Sequence, residues 1–181
     1  MQRAALLNGR KVPSRIVEKR TKAMGVTDYH ARLRECVGHD LLLGLSAAAC
    51  IRDTKGRILL LQRSDGENLW GFPGGAMEPA ERIADTVMRE VREETELEVE
   101  PTMLIGVYSA PEYAFVYPNG DQVQPVTVFF ECRIVGGELS PDMEESLAAR
   151  YFSSDELPPM RPCCVAKAGD AFAFQGQAFF R

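Results

Sequence analysis

Five glutamates, Glu90, Glu93, Glu94, Glu96 and Glu98, crowd together just behind the adjacent glycines Gly74 and Gly75. Like charges at helical spacing destabilise a helix slightly unless something neutralises them, and a divalent cation does so. Carboxylate oxygens without histidine or thiolate are hard ligands, which select Mg²⁺ or Mn²⁺ over zinc or copper. Mg²⁺ keeps several waters and is completed by substrate phosphates, so the ligand type predicts a phosphate-bearing substrate. The glycines suit the same chemistry. Without a Cβ they let the backbone approach ligand and metal, and a carbonyl there can join the coordination.

The elements that must position these groups can be read around them. In GFPGGAMEPAERIADTVMREVREETEL, residues 71–97, the spacing predicts a helix from about Pro79 to Thr95. Proline is tolerated in a first helical turn, and Glu81 lies near the same positive helix end. At about 100° per residue, Ala84, Val87, Met88 and Val91 form one apolar stripe for packing on a sheet. Glu90, Glu93 and Glu94 share a face beside it. Taken separately, the glycine pair reads as a turn and the acids as a solvated helix face.

Together they form a longer pattern, G-x5-E-x7-R-E-V-x-E-E-x-E-L, carried by Gly75, Glu81, Arg89, Glu90, Val91, Glu93, Glu94, Glu96 and Leu97. It closely resembles the Nudix box, G-x5-E-x7-R-E-U-x-E-E-x-G-U with U a bulky aliphatic. Glu96 is the one departure, standing where the family usually has glycine. That position normally takes the left-handed conformation, so the expected consequence is a modest loss of stability with the chemistry intact. The resemblance extends to LWGFPGG before the box and YFSSDELPPM near the end, roughly residues 40–160. Outside the box, Ala148 stands where the family often carries a glutamate.

The resemblance implies an α/β protein with the Nudix fold, an α/β/α sandwich around a mixed β-sheet. It implies Glu90 and Glu94 as main metal ligands, Glu93 helping with a further ion, and the Gly74 carbonyl completing the site. Arg89 and Glu81 would organise the box by ion pairing. The implied reaction is Mg²⁺-dependent attack of water on phosphorus, cleaving a nucleoside diphosphate linked to another moiety. Metals held by carboxylates neutralise charge and align water in such transfers. A general base outside the box would complete the set, with Glu144 and Glu145 in GGELSPDMEES as candidates.

For the substrate, Gly75 is a candidate for close backbone approach to the ligand, and Tyr113, Tyr117 and Trp70 are candidates to stack on a base. In a strand-rich segment such aromatics equally read as packing. Relatives acting on dinucleoside polyphosphates often carry tyrosine at the place of Tyr113, and those acting on ADP-ribose proline; Pro111 stands nearby. ADP-ribose, a dinucleoside polyphosphate and a modified nucleoside triphosphate all stay open.

The rest of the chain frames this site. Its 181 residues, 45% hydrophobic and 26% charged, suit one globular domain. No apolar run approaches the roughly 20 residues of a membrane span, and the start lacks a secretory apolar core, which predicts a cytoplasmic enzyme. The five cysteines show no C-x-x-C spacing, so buried thiols are expected rather than disulfides or zinc. Nine basic against three acidic side chains give residues 1–35 a net +6, leaving −11 for the remainder of a chain of −5.

Residues 1–28 therefore read as a basic, flexible arm and 29–181 as the enzymatic domain. An arm of this charge could touch nucleic acid, which leaves an RNA-processing hydrolase as one alternative. A nucleotide-binding module without turnover is another. Strands are expected at LGLSAAACI and RILLLQR, joined as a hairpin, then at MLIGVYS and VTVFFECRI, with Val126, Val128, Phe130 and Cys132 on one face. Asn119-Gly120 marks a turn. The end, CCVAKAGDAFAFQGQAFF, has helical spacing at Val165, Ala168, Ala171 and Phe172, and its aromatics suit a covering helix or a homodimer interface.

Overall fold

The computed structural model describes residues 6–7, 10–11, 28–64, 68–117, 119–142 and 146–181. Most of the basic arm, and with it Glu144 and Glu145, falls outside the described residues. Within the arm, Leu6–Leu7 (β1) and Arg10–Lys11 (β2) pair as a short antiparallel ribbon. The short helix Asp28–Val37 (α1) follows, and the main sheet begins at Leu42–Ile51 (β3).

All residues of β3 from Ala47 to Ile51 are buried, the continuous apolar run expected of a strand covered on both faces. Its side chains alternate between two cores. Ala47, Ala49 and Ile51 pack with Val87 and Val91 of helix Ile83–Thr95, whereas Ala48 and Cys50 pack with Ala168 and Ala171 of helix Pro162–Ala173. Each core thus has its own helix, with β-structure between them.

Between and after those helices run Ile58–Arg63 (β4), Trp70–Gly71 (β5), Gly74–Ala76 (β6), the box helix Ile83–Thr95 (α2), Glu98–Tyr108 (β7), Phe115–Val116 (β8), Gln122–Gly136 (β9) and Ser146–Phe152 (β10). Helix Pro162–Ala173 (α3) and Phe179–Phe180 (β11) complete the chain. The larger sheet has the order β11-β7-β9-β3-β6, with β8 added to the start of β9. It is mixed: β3 runs parallel to β9 and β11 parallel to β7, while β7–β9 and β3–β6 are antiparallel. A second, antiparallel sheet has the order β10-β4-β5.

Two sequence expectations need correction. The β3–β4 turn forms, with the Gly56 amide donating to the Asp53 carbonyl at 3.0 Å, yet beyond the Arg52–Ile58 bridge the strands part into different sheets. Both edges of β3 are already taken, by β9 and β6, so no hairpin can extend. On β9 the alternation holds, with Phe130 and Cys132 together in the α2 core, and Phe129 enters the α3 core from the other face. The C-terminal helix stops at Ala173, and Phe179 and Phe180 lie along β7 as a strand edge.

The Gly120 turn forms as expected. Gly120 turns the chain with φ +91° between β8 and β9, and the Tyr117 amide donates to the Asp121 carbonyl at 2.8 Å. Among the described residues no helix is long and apolar enough to cross a membrane. Of the thiols, Cys50 and Cys132 are buried as expected, but Cys36 is exposed and Cys163 and Cys164 are half-buried.

Candidate active site

The box begins with a strand the chain can form only because of glycine. Gly74 has φ +145°, and a Cβ there would drive into the Ala47 carbonyl of β3, so β6 can seat against β3 only without a side chain at this point. After Ala76 the chain does not enter a helix at Pro79. Ala80 has φ +66°, a left-handed residue that breaks any helix begun at the proline, and α2 starts at Ile83.

Glu81 uses this turn. Its Oε2 accepts hydrogen bonds from the Glu78 amide at 3.0 Å and the Thr86 hydroxyl at 2.8 Å, so it ties the turn to the first turn of α2. The buried stripe of the helix is Thr86, Val87, Val91 and Thr95. Met88, expected on that stripe, is 39% exposed. Thr86 takes a buried place because Glu81 accepts its hydroxyl, and Thr95 because its hydroxyl donates to the Val91 carbonyl at 2.6 Å.

Arg89 is the hub of the box. Its Nε and Nη2 donate to the two oxygens of Glu81 at 2.8 and 3.0 Å, a fork-to-fork pair. Nη1 donates to Glu90 Oε1 at 2.5 Å and lies 3.4 Å from Glu93 Oε2, and Nη2 also donates to the Ala76 carbonyl at 3.0 Å. One guanidinium thus joins Glu81 of the loop, β6 and two acids of the helix. Burial of the Glu81 carboxyl works to raise its pKa, but the Arg89, Glu78 and Thr86 hydrogen bonds outweigh it and hold the group below the usual carboxylate range. Burial likewise opposes the charge on Arg89, and its carboxylate partners override it upward.

Glu90 and Glu94 both meet the glycine pair. Glu94 Oε2 accepts from the Gly74 amide at 2.7 Å. The Glu90 carboxylate lies flush on Gly75, where a Cβ would stand 2.5 Å from Oε2 and 2.6 Å from the carboxyl carbon. Glu93 is further out, its side chain 37% exposed. Among the described residues no three acids, histidines or cysteines close round a common point. The donor set nevertheless fits a hard divalent cation, since Glu90 and Glu94 bring oxygen alone to adjacent backbone positions that glycine keeps open.

The helix ends as the departure from the box predicts. Glu96 takes the left-handed conformation, φ 57° and ψ 4°, and its amide donates to the Arg92 carbonyl at 3.0 Å. The loop after β9 is sewn onto this end: the Ser140 amide donates to the Thr95 carbonyl at 2.9 Å and the Asp142 amide to the Glu94 carbonyl at 3.0 Å. That loop leads to Glu144 and Glu145.

The three aromatic candidates have different settings. Trp70 is 8% exposed and packs edge-on against Phe152 at 4.9 Å inside the α3 core, which takes its face away from any bound base. Tyr113 closes the short 3-10 turn Pro111–Tyr113 and rests against the same core. Tyr117 packs edge-on against Phe115 at 4.8 Å. Sequence reasoning missed what accompanies them: the Arg161 guanidinium stands 5.6 Å from the Phe115 ring, and the pair Cys163 and Cys164 opens α3. Nothing in local spacing brings Arg161 to β8.

Comparison with known proteins agrees with this geometry. Residues 42–168 match the model of the NUDIX domain. An ADP-ribose pyrophosphatase of Methanocaldococcus jannaschii is 27% identical over 85% of this chain and 80% of its own length. The putative ADP-ribose pyrophosphatase YjhB of Bacillus subtilis is 30% identical over 58% of this chain, which spans only 48% of that protein. Among solved structures, an ADP-ribose pyrophosphatase of Streptococcus suis superposes with a TM-score of 0.61 at 28% identity, covering 76% of this chain and 97% of its own. With its box assembled on Gly74–Gly75 and α2, and with relatives that are pyrophosphatases, the chain belongs to the NUDIX family and is a hydrolase of its pyrophosphatase class.

Proposed function

We propose that the protein hydrolyses a nucleoside diphosphate linked to a second moiety, with Mg²⁺ or Mn²⁺ as cofactor, and that ADP-ribose is the first substrate to test. The observation that carries the reaction is the meeting of Glu90 and Glu94 with the Gly74–Gly75 backbone, under the control of Arg89. Two relatives whose names specify ADP-ribose support the substrate. A bound divalent ion would neutralise phosphate charge and activate water.

The chain's own residues do the rest. Glu90 and Glu94 supply ligand oxygens, Glu93 stands ready to help hold a further ion, and the Gly74 carbonyl is available beside them. Arg89 and Glu81 keep the acids in place. Gly75 leaves room for phosphate oxygens against Glu90. Tyr113 and Tyr117 border the base, and the loop anchored on Glu94 offers Glu144 or Glu145 as general base. We read the 29–181 segment as the enzymatic unit, acting in the cytoplasm without need of the basic arm.

Product chromatography tests this directly, with Mg²⁺ and a panel of ADP-ribose, dinucleoside tetraphosphate, oxidised nucleoside triphosphates and NAD-capped RNA. Metal-dependent release of AMP and ribose phosphate, abolished in Glu94→Gln, is the expected result. Nucleotide binding without turnover of any compound would overturn the reading.

A further inference from the structure

Helix α3 opens with two thiols, Cys163 and Cys164, whose sulfurs are 4.0 Å apart. They lie in its first turn, where unpaired amides and the helix dipole favour negative charge. Cys164 turns inward onto β5: its sulfur would lie 3.5 Å from a Cβ at Gly71 and takes a hydrogen bond from the Phe72 amide. Cys163 is half-buried and accessible.

One turn further on, Lys167 supplies the independent observation. The residue is 6% exposed, and its ammonium stands 5.6 Å from the Tyr108 ring centroid. Among the described residues nothing accepts a hydrogen bond from it, although Asp170 is nearby on the same helix; Asp170 is taken by the Tyr108 hydroxyl at 2.9 Å and the Arg181 guanidinium at 2.7 Å. A buried ammonium without an acceptor is costly and calls for an anionic neighbour. Cys163, at i−4 on the same helix face, is positioned to be that neighbour.

We infer that Cys163, supported by Cys164 and Lys167, is a nucleophilic site that hydroperoxides oxidise to a sulfenic acid. The sulfur attacks one oxygen of the hydroperoxide: an S–O bond forms, the O–O bond breaks, and the departing alkoxide takes a proton from water. Sulfur loses two electrons and the peroxide gains them, giving a sulfenic acid and an alcohol. The other thiols are not prepared for this. Burial pushes Cys50 and Cys132 up to about 12, and Cys36 sits exposed on α1.

The electrostatics point the same way. The Cys164 thiol, donating to the Cys163 sulfur, is the largest influence; burial opposes it, and Lys167 and Arg161 add to it, bringing Cys163 down to about 6. Facing it from another element is Tyr113 of the 3-10 turn, kept neutral by burial first of all. The site adjoins Gly71 and Phe72, just before the glycine pair of the box, and so its oxidation bears on the strand that leads into the hydrolytic centre.

The test uses the full chain, reduced, then exposed to limiting hydrogen peroxide in the presence of dimedone, with the adduct located by peptide mass spectrometry. Iodoacetamide alkylation rates are measured in parallel from pH 5 to 9. The expected adduct is on Cys163, at least about tenfold above Cys36, with alkylation half-maximal well below the ordinary thiol value. Lys167→Met and Cys164→Ala, which leaves no donor, should each move that midpoint upward by about one unit. Labelling mainly at Cys36, or a Cys163 midpoint near the ordinary thiol value of about 8.5, would overturn the inference without touching the hydrolase assignment.

Discussion

The carboxylate of Glu94 accepts a hydrogen bond from the amide of Gly74 at 2.7 Å, which fastens the last turn of the box helix to the first residue of β6. A glutamine at 94 keeps an oxygen acceptor there and an alanine does not. We expect Glu94→Gln to unfold in urea within about 0.5 kcal/mol of the parent and Glu94→Ala to lose about 1–2 kcal/mol. Both should lose metal-dependent turnover. The pair separates the structural role of the side chain from its charge.

Gly75→Ala tests the other glycine. Its Cβ meets only the far end of Glu90, a side chain that can move aside, whereas a Cβ at Gly74 meets the β3 backbone. Gly75→Ala should therefore fold with little loss of stability while Glu90 is displaced, lowering activity or metal affinity about 10–100-fold. Gly74→Ala should fail to fold normally. Mg²⁺ titration of activity, alongside urea unfolding, checks both.

The ion pair of Arg89 with Glu81 sets a pH dependence. The folded protein depresses the Glu81 pKa, so the stabilisation is complete above the unfolded carboxylate value, about 4.3 for a free glutamate, and is lost as pH falls through the lower folded value. Arg89→Met removes the partner. Melting temperature followed downward from pH 7 should fall more steeply below about pH 4.5 in the parent than in the variant. Parallel curves would remove this pair from the acid response.

These details show what was legible in sequence. Charged positions at fixed spacing identified the box, and the alanine-rich run identified a strand, because each expresses a local requirement. The start of α2 was misplaced because Ala80 adopts φ +66°, which nothing about alanine announces. The β3–β4 hairpin was misread because strands far along the chain, β6 and β9, compete for the edges of β3. Trp70 looked available beside the glycine turn, and only the packing of Phe152 shows that it is not.

Glu96 offers a prediction in the opposite direction. It holds φ 57° at the helix C-cap, a conformation that costs a residue with a Cβ about 1 kcal/mol or more. Its charge also faces the negative end of the helix dipole. Glu96→Gly should stabilise the protein by about 0.5–1 kcal/mol, the smaller value reflecting the greater freedom of glycine in the unfolded chain. Catalytic parameters should stay unchanged. Urea unfolding with steady-state kinetics measures both.

The single thickness of β3 between two cores has a consequence for how such a protein can change. Ala47 and Ala49 belong to the layer of α2, which carries Glu90 and Glu94; Ala48 and Cys50 belong to the layer of α3. Substitutions confined to opposite layers share few contacts, so their effects on stability add rather than compound. Side chains can change deep in the α3 layer, around Ala168 and Ala171, while the layer beneath Glu90 and Glu94 keeps its own packing. Divergence on that side reaches the box through Trp70 and Phe72, which the α3 layer holds just before the glycine pair.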